Sequence, residues 1–215
     1  MKIFTYIKQN SERVPGKNFQ DLGGLPLWMH LCNNLAPYTV YIDTDSPEVM
    51  LASKAMKNVI AYERDPEHIK LETDPEFGVS PALLMIYRFL DEHVESHDEI
   101  IVTPHVTSPF LRKDTVEDAV SKIALGHDVV QACTVHHEFA YYKGQPVNFD
   151  PAVVQKTQDL EPIVMGNGAF FIFRKKTFIQ NRGRSGKNTY FYPLSMPESI
   201  EIDTIEDLNL ARKFL

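Results

Sequence analysis

Apolar residues along the chain alternate between two rhythms. Short runs rich in β-branched and aromatic residues read as strands: "KIFTYI" (2–7), "YTVYI" (38–42), "NVIAY" (58–62), "EIIVTP" (99–104), "DVVQACTV" (128–135) and "GAFFIF" (168–173). Between them, apolar positions recur every three or four residues, as a one-sided helix requires: "LWMHLCNNL" (27–35), "PEVMLASKAM" (47–56), "SPALLMIYRFLDEHV" (80–94) and "VEDAVSKIAL" (116–125). In 80–94 the stripe is expected to run through Leu83, Leu84, Ile86, Tyr87, Leu90 and Val94. Thr204, followed by an acidic turn, reads as the N-cap of a last helix.

Strand–helix alternation through the first 135 residues predicts a mostly parallel sheet covered on both faces, a three-layer α/β/α fold. The stretch "HHEFAYYKGQPVNFDPAVVQKTQDLEP" breaks the rhythm and reads as a small β-rich excursion at about 136–165, suited to a partner subunit or a lid. There is no repeat and no linker, so residues 1–215 read as one domain carrying that excursion.

Composition narrows the function. The chain is 43 % hydrophobic and 24 % charged, with a net charge of −7. That argues against general nucleic-acid affinity, which needs a basic face. The opening "MKIFTYIKQN" turns polar too soon for a secretory leader, and no run approaches the ~20 apolar residues of a membrane span. Cys32 and Cys133 have no close-spaced partner to suggest zinc, and read as two reduced core thiols in a cytoplasmic protein.

Against that acidic background, "IKQNSERVPGKN" (7–18) places Lys8, Arg13 and Lys17 in one loop after the first strand. In a doubly wound sheet such loops lie at the carboxyl edge, where ligands bind. Gly16 permits close backbone approach and Pro15 stiffens the turn. The three cations are candidates to hold phosphate, the alternative being a solvated basic loop; the "GxxxxGK[ST]" phosphate loop is absent. Near the C-terminus Glu201 and Asp203 alternate along an apparent strand, so both carboxylates would share one face and suit a magnesium ion. The alternative is two solvated acids beside a helix start. "D43-T-D45" offers a rival Asp-x-Asp metal–nucleotide pair, as in many sugar-nucleotide glycosyltransferases. Asp45 would otherwise contact a nucleotide or cap the helix beginning at Pro47.

The order of these segments resembles the N-acylneuraminate cytidylyltransferase (CMP-sialic acid synthetase) family. "S11-E-R-V-P-G-K-N18" is similar to its loop pattern R-x-x-S-K-R-[IL]-P-x-K-N, and "YIDTDSPEV" to its "STD" segment. "TSPFLR" (107–112) resembles "PTSPLR", "TQDLEPIVMGNGAFFIF" (157–173) resembles "RQDLP…NGAIYI", and "SIEIDTIEDLNLA" (199–211) resembles "SIDIDTEEDLxxA". The KDO cytidylyltransferases are a poorer match: their loop reads Pro-Gly-Lys-Pro, and they lack "TSP".

The resemblance implies a nucleotide-diphospho-sugar transferase-like fold and transfer of CMP from CTP to a sialic acid-like sugar acid, with pyrophosphate released. It further implies magnesium held by Asp203 and Glu201, and a homodimer contacting through the excursion. Lys8, Arg13 and Lys17 would brace the triphosphate, Ser11 and Asn18 would bond phosphate or ribose, and Asp45 and Ser80 would touch the nucleotide. Ser80 reads equally as an N-cap ahead of Pro81. His105, Thr107, Ser108, Gln158 and Asn167 fall on the sugar side.

Departures from the pattern collect on that side. His105 stands at the family's glutamine, Val106 at its proline, Lys156 and Thr157 at two arginines, and Glu201 at an aspartate. One extra residue, Phe110 or Leu111, precedes Arg112. Arg182 or Arg184 in "QNRGRSGKN" (180–188) could offer a cation to the sugar carboxylate, although that segment reads first as a solvated loop. The departures leave room for a non-catalytic relative that only binds CTP or a sugar.

Overall fold

The computed structural model describes residues 1–11, 14–72 and 80–215. Eleven strands run β1 (Lys2–Ile7), β2 (Asp21–Leu22), β3 (Leu25–Pro26), β4 (Val40–Thr44), β5 (Val59–Glu63), β6 (Ile100–Pro104), β7 (Val129–His136), β8 (Tyr141–Tyr142), β9 (Gln145–Pro146), β10 (Ile163–Arg174) and β11 (Thr189–Pro193). Among the described residues seven helices are interspersed: α1 (Leu27–Asn34), α2 (Pro47–Ala52), α3 (Pro66–Glu72), α4 (Pro81–His93), α5 (Lys113–Ala124), α6 (Lys175–Asn181) and α7 (Ile205–Ala211). Seven strands form one sheet in the order β11-β7-β10-β6-β1-β4-β5; β2–β3 and β8–β9 are separate two-residue ladders.

Within the large sheet β10 alone runs antiparallel to its neighbours. The three-layer, mostly parallel expectation therefore holds. Residues adjacent in a strand face opposite sides of the sheet, and each side has its own core. Ile3, Val102, Val130 and Ile172 pack with α1, α2 and α5. Phe4, Ile101, Val129 and Phe173 pack with α4 and α6. Strands buried on both faces read as unbroken apolar runs, which is why the runs were legible in the sequence.

The α4 stripe differs from expectation. Ala82, Met85, Ile86, Phe89 and Leu90 are the buried positions, with Val94 beyond them, whereas Leu83, Leu84 and Tyr87 are only half-buried. The helix packs on two sides, with Phe89 stacked on Phe4 at 4.5 Å and Tyr87 edge-on to Phe178 of α6 at 4.8 Å. A two-sided helix has a broader apolar face than a single stripe.

A third, smaller core joins Leu22 and Leu27 to Ile200, Ile202, Leu208 and Ala211. It pins the C-terminal segment beside the loop that follows β1. Within the excursion Tyr141–Tyr142 pairs with Gln145–Pro146 through a tight turn with positive φ at Lys143 and Gly144, and its last residues, Ile163 to Met165, pair with the end of β7. Phe149 packs edge-on against Phe139 and Tyr141, and Asn148 donates to the Glu138 and Glu161 carbonyls, closing the excursion on itself.

Candidate active site

A cavity of about 410 Å³ opens beyond the carboxyl ends of β1 and β6. The loop after β1 supplies Lys8, Asn10, Ser11, Lys17 and Asn18 to its wall. Two features fold that loop. Gly16 takes a left-handed conformation (φ 61°), which lets the chain turn into a short helical turn at Lys17–Phe19. Asn18 Nδ2 then donates to the Lys8 carbonyl at 3.0 Å, tying one end of the loop to the other. Arg13, expected beside these groups, lies outside the described residues.

From the C-terminal side come Glu201 and Asp203. The stretch that carries them is irregular and not the strand expected, yet they share one face. Ile200 and Ile202 are drawn into the small third core, and the residues between and after them turn the other way. Asp203 Oδ1 meets Lys17 Nζ at 3.0 Å, with the lysine almost wholly buried. The basic loop and the C-terminal acids, 186 residues apart, thus converge in one cavity.

Thr107, Val106 and His105 complete the wall beneath Tyr6. His105 Nδ1 lies 3.4 Å from Glu201 Oε1, and the Gly168 N–H donates to Glu201 Oε2 at 3.0 Å. A Cβ at position 168 would stand 2.3 Å from Glu201 Oε1, so this glycine is what admits the carboxylate. Burial pushes the Glu201 carboxyl up, but the hydrogen bonds from His105 and the Gly168 N–H, with the charge of Lys17, outweigh it and hold the group below its usual range. The side chains at 105 and 201, both read as departures from the family pattern, thus face each other.

Several expected residues take other roles. Asn167 spends its amide on backbone, donating to the Ser199 carbonyl at 2.9 Å and accepting from the Ala169 N–H at 2.7 Å. It sits where β10 slips register against β7 and staples that irregularity to the segment carrying Glu201. Asp45 accepts from the Gln9 N–H at 2.7 Å and so braces the loop from behind; the cap of α2 is Ser46, not Asp45. Ser108 is fully buried behind the cavity wall. Ser80 is an exposed N-cap of α4, and Gln158 is exposed in the excursion; neither lines the cavity.

Asp43 is fully buried and receives Arg64 Nε at 2.7 Å, while Arg64 Nη2 donates to the Ile7 carbonyl. Burial pushes the Asp43 carboxyl above its ordinary value, against the pull of Arg64. With Asp43 in the interior and Asp45 on the loop backbone, the Asp-x-Asp pair does not converge on a ligand. Val106, noted only as a departure from the family pattern, also lines the cavity, with Tyr6 and Asn10, whose local sequence does not separate them from ordinary strand and loop residues.

Among the described residues no group of three or more His, Cys, Asp or Glu is placed to hold a metal ion. Two carboxylates lining one cavity nevertheless suit magnesium, which keeps waters and shares substrate phosphates rather than needing an all-protein cage.

A family model described as Cytidylyltransferase matches residues 8–214. The chain belongs to the cytidylyltransferase family. Like other members it can be set beside curated relatives. It is 28 % identical over 216 residues to an N-acylneuraminate cytidylyltransferase A of Danio rerio, covering 94 % of this chain and 48 % of the relative. It is 26 % identical over 230 residues to a CMP-N,N'-diacetyllegionaminic acid synthase of Legionella pneumophila, covering 100 % of this chain and 97 % of the relative. The chain thus spans about half the length of the first of these relatives and nearly all of the second. Among solved structures, a CMP:2-keto-3-deoxy-manno-octonic acid synthetase complexed with CTP superposes with a TM-score of 0.62 at 16 % identity, over 99 % of this chain and 97 % of that one. A 4-diphosphocytidyl-2C-methyl-D-erythritol synthase also gives 0.62, at 7 % identity, over 99 % and 98 %. These two likenesses establish the shared cytidylyltransferase-type fold.

Proposed function

We propose that this protein transfers CMP from CTP to a sialic acid-like (nonulosonate) sugar acid and releases pyrophosphate. The observation that supports the reading is the Lys17–Asp203 contact inside the cavity, which brings the basic loop after β1 together with the C-terminal acids. In the reaction the anomeric hydroxyl oxygen of the sugar bonds to the α-phosphorus of CTP. The bond from that phosphorus to the bridging oxygen breaks, pyrophosphate departs, and the hydroxyl proton passes to water. Chemistry of this kind depends on positioning and charge neutralisation. Lys8 and Lys17, with Arg13, neutralise the triphosphate; Ser11 and Asn18 hold phosphate or ribose in place. Asp203, with Glu201, would bind Mg²⁺, which supplies charge neutralisation at the phosphates. Thr107 and the His105–Glu201 pair shape the sugar side.

Two relatives named for acting on N-acylneuraminate and on N,N'-diacetyllegionaminic acid support this substrate class. The exposed Tyr141, Tyr142, Val154 and Met165 of the excursion support a homodimer through that surface. Two buried free thiols fit a cytoplasmic location.

The test is pyrophosphate release from CTP and magnesium with a panel of acid sugars. Release with at least one sugar is expected, and the Asp203→Ala variant should lose about 100-fold or more in kcat while staying folded. Tight CTP binding with no turnover on any sugar would instead indicate a binding protein. Sugar transfer from a preformed nucleotide sugar, without pyrophosphate, would indicate a glycosyltransferase.

A further inference from the structure

The segment 180–188 is exposed at most of its positions, as expected of a solvated loop, but it is anchored at both ends and Arg184 is half-buried. Asn181 Nδ2 donates to the Ser185 carbonyl, and the Gly183 N–H donates to Phe178 of α6. Gly186 packs so closely on β7 that a Cβ there would lie 2.9 Å from Asp128 and Val129. Asn188 closes the far end, its N–H donating to Asp128 and its amide to the Gly126 carbonyl. Anchored on both sides, the loop lays the Arg184 guanidinium over the Phe171 ring at 4.2 Å, with Nη1 3.4 Å from His105 Nε2.

Among the described residues no carboxylate comes within 4.0 Å of this arginine to neutralise its charge, and none accepts from its other N–H groups. A guanidinium only donates, so His105 Nε2 accepts and Nδ1 carries the proton facing Glu201. The result is a rigid, half-buried cation with donors to spare, beside a residue of the cavity wall and separate from the Lys17–Asp203 pair. Such a group is built for an anion with a planar pair of oxygens.

We propose that Arg184 recognises the carboxylate of the sugar-acid substrate and so selects acid sugars on the Tyr6–His105 side of the cavity. The inference rests on the cytidylyl-transfer reading given above.

The experiment compares the unaltered protein with Arg184→Ala and Arg184→Lys, using CTP, magnesium and whichever panel sugar is turned over. Removing a charge-assisted hydrogen bond to a carboxylate is expected to raise KM for the sugar by about 10- to 100-fold. KM for CTP should stay within about twofold, which also shows that the variant is folded. Lysine should recover part of the loss. The methyl ester of the sugar, tested as a competitor, should bind the unaltered protein and Arg184→Ala equally well. An unchanged sugar KM in Arg184→Ala, a lysine variant no better than alanine, or an ester that still distinguishes the two proteins would overturn the assignment alone. No turnover of any acid sugar by the unaltered protein would overturn the underlying reading with it.

Discussion

Single side chains divide into those that face the cavity and those that hold them there. The Asp43–Arg64 pair belongs to the second group. It is fully buried, and removing one partner strands the other's charge. Asp43→Ala should therefore destabilise the protein by about 3–5 kcal/mol, measured by urea unfolding, while the folded fraction keeps its kcat. A loss of kcat with unchanged stability would instead revive the Asp-x-Asp metal reading. Gly168 offers the opposite test. A methyl group there would collide with Glu201 at 2.3 Å, so Gly168→Ala should displace Glu201 from His105. Turnover is expected to fall by more than about tenfold at a stability cost of about 1–3 kcal/mol, the usual range for overpacking. Neither role is visible in sequence: Asp43 sits in an apolar run like any strand residue, and its partner is 21 positions away.

Among the elements, α7 connects stability to the site most directly. Thr204 and Asp207 form a reciprocal capping box, and the Asp203 N–H also donates to Asp207 Oδ2 at 3.0 Å. Thr204→Ala should cost about 1 kcal/mol and loosen Asp203. Burial pushes the Asp207 carboxyl up, but hydrogen bonds from the Asp203 N–H and from the Thr204 hydroxyl and N–H, with the charge of Lys17, hold it below the ordinary aspartate value of 3.8. A carboxylate whose folded pKa is depressed contributes stability that is fully present above its unfolded value and lost as pH falls through the folded value. Stability measured below pH 3.8 should therefore decline less steeply in Asp207→Asn than in the unaltered protein. The cap was legible because it is local, four consecutive residues with a known spacing. By contrast α3, α6 and β11 went unread. Each is a short segment, five to seven residues long, held by packing rather than by an apolar period of its own.

On the scale of the whole molecule, the mostly parallel sheet brings three distant segments to one edge: the loop after β1, the turn after β6 and the stretch before α7. The antiparallel β10 passes beside β6 and carries Asn167 and Gly168 to that same edge. The excursion leaves from the ends of β7 and β10 with its aromatic and aliphatic side chains outward, Val154 fully exposed. If that surface joins two copies, sedimentation should give twice the monomer mass. Val154→Asp combined with Tyr142→Asp should then shift the population toward monomer without lowering the midpoint of thermal unfolding measured in dilute solution. A monomeric unaltered protein would leave the excursion as a lid.

The amino-acid pattern by itself determined the strands buried on both faces, the principal helices and the caps. These depend on periodicity and on contacts a few residues apart, which a linear chain displays. It also marked the basic loop and the acids near the C-terminus as separate candidates. Only the folded chain decided that Lys17 meets Asp203, that His105 faces Glu201, and that Arg184 lies beside the cavity. Those pairings join residues 79 to 186 positions apart, and no local rule fixes which distant side chains a sheet edge will gather.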